Sequence, residues 1–209
     1  MEKKQRIKSW KKKESRGIDP RDWESIPMTS DARAFYEGTF LPRYTEMLRQ
    51  VLQTPLTVLI WGPGKGGGDL YSKRLQIRGQ LRESGITAIF SEEVEVANPF
   101  SSYSAKALEL CQALAADFIV VLQSSIGSTA EVHDFSQFVA DVGRKMLIFI
   151  DSRAKDGYSY TGALQELTML YNNVETYEYP RDIHECHLLA KVEGKIKVLQ
   201  FAKWRQRYS

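Results

Sequence analysis

One short segment of the sequence combines a turn of small residues with a carboxylate that could take part in chemistry. Residues 125–131 read Ser-Ile-Gly-Ser-Thr-Ala-Glu and follow an apolar run, and this spacing predicts that Glu131 lies in the first turn of a helix. A carboxylate in that position is held ionised, and an ionised carboxylate can attack a sugar carbon or stabilise positive charge on it. The alternative is a capping box, in which Ser128 and Glu131 only stabilise the start of the helix.

A second segment, residues 61–69, contains five glycines that could bring the backbone close to a ligand. Glycine permits positive φ and leaves backbone N–H groups bare, and the N-terminus of the following helix adds its dipole. The segment lacks the Gly-Lys-Ser/Thr ending of a Walker loop and has no clean dinucleotide fingerprint. We expect it to face a phosphate-bearing ligand; the alternative is a plain turn in which the aspartate caps the next helix. The candidate binding residues are Trp61, Gly62, Gly64, Gly66 and Asp69.

Acidic residues follow two further apolar runs. Glu92 and Glu93 come directly after one run, where a carboxylate could accept a hydrogen bond from a ribose hydroxyl; a solvated acidic loop is the alternative. Asp151 ends another run and is placed to reach the same ligand. The histidines and cysteine at residues 184–187 lack a second ligand pair, so we expect no metal site.

The elements that must position these residues follow Pro55, where short apolar runs alternate with stretches of helical spacing. Such alternation predicts parallel strands joined by right-handed crossovers, and therefore a three-layer open α/β sheet with flavodoxin-like or Rossmann-like order. In such sheets ligands bind beyond the carboxyl ends of the strands, where the strand order reverses. The predicted strands span 56–61, 86–90, 117–122, 146–150 and 174–179, the last at a sheet edge, with a polar loop at 91–103 and predicted helices at 70–84, 105–115, 128–142, 162–171 and 181–204.

The chain of 209 residues is expected to form one sizeable core behind a basic leader and N-terminal helices. We place the leader and these helices at residues 1–54 and a nucleotide-binding α/β domain at 55–209. Residues 1–16 carry eight Lys or Arg against two acids, so this arm could contact nucleic acid; a solvated leader is the alternative. Helical spacing begins after the capping residues 29–31, with a break expected at Pro42.

The composition favours a cytoplasmic protein. Hydrophobic residues make up 43% and charged residues 26%, which is typical of a globular domain. No apolar run approaches the roughly 18 residues of a membrane-spanning helix, and the N-terminus lacks the apolar stretch of a secretory signal. The two cysteines, Cys111 and Cys186, make no disulfide framework, which is typical of a reducing compartment. We expect no membrane partner, while a homo-oligomer or a regulatory partner stays open.

The apolar run at 116–122 followed by residues 125–131 resembles the glycosidase motif of nucleoside 2-deoxyribosyltransferase-like proteins. It is closest to the form found in retron-encoded antiphage effectors, and TIR domains, which are related, use a similarly placed glutamate to cleave NAD. The resemblance covers roughly residues 56–180, whereas the glycine-rich first loop and His133-Asp134 depart from the family pattern. It implies that Glu131 is catalytic and that the turn binds substrate through Ser125, Gly127 and Ser128.

The same resemblance implies an N-glycosidase that cleaves the bond between base and ribose in NAD, or in a related nucleotide or nucleoside. NAD or a nucleotide is then the substrate, no cofactor is needed, and the biological role is that of a toxic effector in antiviral defence. The family also includes deoxyribosyltransferases, so base exchange stays open beside hydrolysis. The residues alone also allow a nucleotide sensor without catalysis, or a nucleic-acid adaptor that acts through residues 1–16.

Overall fold

The computed structural model describes residues 28–95, 104–123, 138, 140–154 and 164–207. The basic arm at residues 1–16 lies outside these ranges. The chain divides between Arg49 and Gln50 into an N-terminal and a C-terminal unit, slightly before the boundary that the sequence predicts after residue 54. Within the described ranges, no helix combines the length and the apolar character that crossing a bilayer requires.

Three helical segments follow one another at the start of the described chain. Helix α1, Ser30–Phe35, begins after Thr29, whose hydroxyl accepts a hydrogen bond of 3.3 Å from a first-turn N–H, so the predicted N-cap is confirmed. The break expected at Pro42 takes the form of a π-helical turn, Tyr36–Phe40, which leads into α2, Leu41–Leu52. A wider turn suits this position, because proline has no N–H to donate to the carbonyl four residues earlier.

Five parallel strands form the sheet of the C-terminal unit, in the order β2-β1-β3-β4-β5. They are β1 (Thr57–Trp61), β2 (Thr87–Phe90), β3 (Phe118–Leu122), β4 (Met146–Asp151) and β5 (Val174–Tyr177). The prediction of an open parallel sheet with flavodoxin-like order is therefore confirmed, and the polar fifth strand lies at an edge. The order reverses at β1, because the chain runs from β1 to β2 and then returns to the other side of β1 for β3.

Helices cover both faces of this sheet. They are α3 (Gly68–Glu83), α4 (Ser91–Glu95), α5 (Ala105–Ala115), α6 (Gln165–Tyr171), α7 (Arg181–His184) and α8 (His187–Arg207), with 3₁₀ turns at Gly143–Lys145 and Ser152–Ala154. Neighbouring side chains of a strand point to opposite faces, so Ile60 packs in the cluster that includes α3 and α8. Leu59 and Trp61 pack in the second cluster, which includes α5 and α6. The protein is therefore a three-layer α/β fold.

Two predicted elements differ in the structure. The polar loop predicted at 91–103 begins with helix α4, where Glu93 accepts a backbone hydrogen bond of 3.1 Å at the helix start, as in a capping box. The helix predicted over 181–204 is interrupted at Glu185, between α7 and α8. The Glu185 backbone is extended, with a ψ of 169°, which ends α7, and its carbonyl accepts a hydrogen bond of 2.8 Å from the Lys73 ammonium.

Gly62 offers a direct stability test of how β1 meets β3. Its φ is +149°, and a Cβ placed there would lie 3.1 Å from both the Cβ and the carbonyl oxygen of Leu122. We expect Gly62→Ala to lower the free energy of unfolding by about 1–3 kcal/mol, because strain and crowding coincide. The matched control is Gly64→Ala, where a Cβ would meet nothing within 4 Å. Urea unfolding measures both variants, and equal losses would contradict the packing argument.

Candidate functional site

A cavity of about 680 Å³ opens at the carboxyl end of the sheet. Its described lining comes from the segments that end or follow β1, β3, β4 and β5, so it includes the point where the strand order reverses. This is where ligands bind in open parallel sheets, and the volume lies in the range of small-molecule sites. The lining side chains that carry polar groups are Asp69, Gln123, Asp151, Arg153, Tyr177 and Tyr179.

The glycine-rich segment forms one wall of this cavity and leads into α3. The Gly67 N–H donates to the Gly64 carbonyl at 2.8 Å, and Gly68 has a φ of +56°. A side chain at Gly67 would collide with the Pro63 ring, so this position requires glycine. Helix α3 therefore begins at the cavity without a side-chain cap, an arrangement that suits an anionic group of a ligand.

The five residues predicted to bind ligand in this segment have different positions. Gly66 and Asp69 line the cavity, as the sequence predicts for a ligand-facing loop. Gly62 and Gly64 are not among the described lining residues. Trp61 is only 1% exposed and belongs to the core on the face that α5 and α6 cover. The segment thus divides into a part that supports the loop and a part that faces the cavity.

Asp69 joins the start of α3 to the end of β5. The Tyr179 hydroxyl donates to Asp69 Oδ2 at 3.0 Å, and this hydrogen bond to a carboxylate raises the pKa of Tyr179 above its ordinary value. Nε2 of His184 lies 3.8 Å from the same oxygen. The cavity wall therefore holds a carboxylate that is oriented by a phenol, with an imidazole beside it.

Asp151 ends β4 and faces the cavity in an ion pair. Both of its carboxylate oxygens accept from Arg153 Nε, at 2.9 and 3.1 Å, and these hydrogen bonds hold the pKa of Asp151 below its ordinary value. The guanidinium also lies 5.5 Å from the centre of the Tyr179 ring. Next to this pair, burial raises the pKa of Tyr177 to about 12, and its hydroxyl lies 3.5 Å from the Gln123 carbonyl. Asp151 is therefore ionised at neutral pH, and the phenol is protonated.

Among the described lining residues, two side chains are carboxylates, and the single guanidinium is already paired with one of them. Asp69 and Asp151 contribute two carboxylates, while the guanidinium of Arg153 is already paired with one of them. Carboxylate oxygens accept hydrogen bonds from sugar hydroxyls, and the Tyr179 ring offers an apolar face. The arrangement suits a ligand that combines a hydroxylated sugar with a flat base.

Arg74 supports this edge of the sheet and was not identified from the sequence. Its side chain is 1% exposed, and its guanidinium donates to the Ile60 carbonyl at 2.7 and 3.1 Å. The same group donates to both carboxylate oxygens of Glu92 at 2.7 Å and lies 3.9 Å from the centre of the Phe90 ring. The sequence carries no signal for this role, because an arginine in a surface helix ordinarily faces solvent.

Neither Glu92 nor Glu93 is among the described residues that line the cavity. Glu92 pairs with Arg74, and Glu93 pairs with Arg78 and accepts from Arg82 at 3.4 Å. Helix α4 directs both carboxylates back towards α3. Their oxygens, which the sequence predicts to accept hydrogen bonds from a ribose, therefore form ion pairs with arginines. Ribose binding by this acidic pair stays a prediction, and its present contacts are structural.

The ion pair of Glu92 predicts a dependence of stability on pH. Burial acts to raise the pKa of Glu92, but hydrogen bonds from Arg74 and its charge outweigh it and lower that pKa below the ordinary 4.5. A lowered folded-state pKa contributes stability above the ordinary value, which is lost as the pH falls through the folded-state value. We therefore expect the destabilisation caused by Glu92→Gln to be largest at neutral pH and to disappear in acid. Urea unfolding across this range measures it, and a constant difference would contradict the ion pair's role.

The predicted catalytic turn lies outside the described residues, and so does most of the helix predicted at 128–142. This applies to Ser125, Gly127, Ser128 and Glu131. The described chain before the turn ends at Gln123, which follows β3 and lines the cavity. In the sequence, the predicted catalytic glutamate stands eight residues after this lining residue.

Four polar lining residues were not predicted from the sequence. They are Gln123, Arg153, Tyr177 and Tyr179. Each lies at, or within two residues of, the carboxyl end of β3, β4 or β5. Position after a predicted parallel strand would have identified Gln123 and Arg153, whereas Tyr177 and Tyr179 lie within the predicted fifth strand, 174–179, which ends earlier in the structure.

Comparisons with known proteins assign no family to the chain. No protein-family model matches it, and no curated protein is significantly similar to it. Inference about function therefore starts from the cavity, from the residues that line it, and from the sequence of the turn that follows β3.

Proposed function

We propose that the protein is an N-glycosidase that cleaves the bond between base and ribose in NAD or a related nucleotide, and that it serves as an antiphage effector. The observation that carries this proposal is the position of Gln123. This residue lines the cavity after the end of β3, and the segment at residues 125–131 begins two positions later in the sequence. Glu131 thus lies eight residues beyond a residue of the cavity wall.

In the proposed complex, the N-terminus of α3 and the glycine turn bind phosphate through backbone N–H groups. Asp69 and Asp151, which line the cavity, accept hydrogen bonds from the ribose hydroxyls. They take the role that the sequence prediction gave to Glu92 and Glu93. The Tyr179 ring, 42% exposed, supplies an apolar surface for a base.

Glu131 acts at the C1 carbon of the ribose. The C1–N bond breaks, its electron pair leaves with the base, and positive charge develops on C1 and the ring oxygen. The ionised Glu131 carboxylate either stabilises this charge or bonds to C1 as a glycosyl-enzyme intermediate. Water then adds to C1 and loses a proton, and where Glu131 is bonded to C1 the water displaces its carboxylate, which completes hydrolysis. A second base in place of water would give transfer.

The described lining residues favour a substrate whose base leaves without being protonated. Asp151 is ionised because its hydrogen bonds with Arg153 lower its pKa, and the raised pKa values of Tyr177 and Tyr179 make them weak acids. The nicotinamide ring of NAD is cationic and leaves as a neutral molecule, so it needs no proton donor. A purine departs more easily when an acid protonates it. NAD is therefore the proposed substrate that least requires a proton from Asp151, Tyr177 or Tyr179.

A nucleotide sensor without catalysis is the second candidate. It is favoured by the hydrogen bonds that already orient the cavity carboxylates, Tyr179 to Asp69 and Arg153 to Asp151. These contacts hold the carboxylates in fixed orientations, as in a preorganised binding site. In a sensor, Glu131 would act only as a helix cap.

Incubation of the full chain with NAD and a panel of nucleosides and nucleotides tests the proposal, with chromatography to detect released bases. We expect nicotinamide and ADP-ribose in equal amounts from NAD. If no compound releases its base, and Glu131→Gln binds nucleotide as tightly as the unchanged chain, the glycosidase is rejected in favour of the sensor.

A further inference from the structure

A series of contacts connects the buried Arg74 to the cavity wall, although Arg74 is not among the described lining residues. Its Nη1 lies 3.4 Å from the Pro63 carbonyl, to which it donates. Pro63 lines the cavity, and its ring lies so close to Gly67 that no side chain fits there. The Gly67 N–H donates to the Gly64 carbonyl, and this hydrogen bond closes the glycine turn. Pro63 therefore contacts both the Arg74 guanidinium and Gly67 of the turn.

The guanidinium of Arg74 uses all five of its N–H donors. Nε and Nη2 donate to the Ile60 carbonyl, Nη1 and Nη2 donate to the two oxygens of Glu92, and the remaining Nη1 hydrogen points to Pro63. The ring of Phe90 lies against the guanidinium at 3.9 Å. A lysine has three donors and no planar fork, so it cannot serve the same acceptors.

We propose that Arg74 is a positioning residue for the ligand site. It fixes Pro63 against the end of β1 and thereby holds the glycine turn ready for a ligand, while Glu92 keeps the guanidinium in orientation. Backbone N–H groups bind an anion well only when the turn is preorganised, because ordering a displaced loop costs affinity. The kinetic part of this inference rests on the proposed function, and its structural part does not.

Arg74→Lys tests the inference, with Arg78→Lys as the matched control. Arg78 lies on the same helix, pairs with Glu93 and also contacts the Phe90 ring, at 4.0 Å, yet none of its described hydrogen bonds reaches the glycine turn. We expect Arg74→Lys to raise KM for NAD about ten-fold, because the turn is less well ordered for binding. We expect kcat to stay within about two-fold of the unchanged chain, because the Glu131 carboxylate is unaltered. Arg78→Lys should change neither constant.

Amide hydrogen exchange gives a second readout that needs no catalysis. We expect the Gly67 amide, which donates within the turn, to exchange about ten-fold faster in Arg74→Lys, while the amides of β3 keep their rates. Equal changes in both lysine variants, or an unchanged Gly67 rate in Arg74→Lys, would overturn the inference. If the unchanged chain releases no base, the proposed function fails, and the Gly67 rate still decides the role of Arg74.

A second variant covers the case in which Arg74→Lys does not fold. Glu92→Gln removes the ion pair that orients the same guanidinium. Because the Glu92 side chain is 51% exposed, this substitution endangers folding less. We expect a smaller acceleration of Gly67 exchange, about three-fold, because the Ile60 and Pro63 contacts remain. An unchanged rate in a folded Glu92→Gln would contradict the role of Arg74.

Discussion

Replacement of Glu131 by glutamine is expected to slow the release of nicotinamide from NAD by about a hundred- to ten-thousand-fold. The amide has nearly the same shape but no negative charge, so it cannot stabilise a cationic sugar or bond to it. Affinity for NAD should stay within about three-fold, because most of the binding energy comes from the rest of the cavity. Chromatography gives the rate, and calorimetric titration gives the affinity.

The matched control for this variant is Glu166→Gln. Glu166 is an exposed carboxylate in the first turn of α6, the position that Glu131 is predicted to have in its own helix. Both substitutions remove one charge, Glu166 from an observed helix start and Glu131 from a predicted one, but Glu166 is not among the described lining residues. We expect Glu166→Gln to keep the full rate. A similar loss in both variants would point to a general electrostatic effect and would remove Glu131 from the mechanism.

Replacement of Arg74 by methionine is expected to lower the free energy of unfolding by about 1–3 kcal/mol, because buried acceptors lose their donor, whereas Glu92, whose side chain is 51% exposed, is not left as a buried charge. The substitution leaves the carbonyls of Ile60 and Pro63 without this donor, and an unsatisfied buried polar group costs about 1–3 kcal/mol. Methionine adapts to irregular gaps, so little of the loss comes from packing.

Arg78→Met separates this effect from the loss of a positive charge on α3. The Arg78 side chain is 20% exposed and pairs with Glu93, whose side chain is 40% exposed. Pairs of that kind contribute about 1 kcal/mol or less. Urea unfolding followed by circular dichroism measures both variants at neutral pH. A loss in Arg78→Met as large as in Arg74→Met would mean that the buried hydrogen bonds do not stabilise the fold as argued.

The sheet could be predicted because each strand carries its own signal. Residues Phe118–Leu122 are five consecutive apolar residues, all buried, and a strand covered on both faces requires such a run. The polar Val174–Tyr177 has a mixed pattern, since an edge strand has only one neighbour. The sequence did not predict the break between α7 and α8, where the Glu185 carbonyl accepts a hydrogen bond from Lys73, a residue more than one hundred positions away in the chain.

The candidate site could be predicted only in part. Gly66, Asp69 and Asp151 line the cavity because they follow strands whose carboxyl ends meet at one edge. The same reasoning placed Glu92 at that edge but could not show that its carboxylate turns to Arg74. A residue after a strand can contact a ligand or form an ion pair, and its sequence pattern is the same in both cases.

The sequence by itself determined the order of strands and helices, the parallel sheet, and the edge at which a ligand would bind. These follow from hydrophobic periodicity and from glycine positions, which act over a few residues of chain. Only the tertiary structure decided which polar groups meet: Asp69 with Tyr179, and Arg74 with Glu92 and Pro63. Such pairs depend on the shape and burial of the folded core, and they cannot be predicted from the distance between the two residues along the chain.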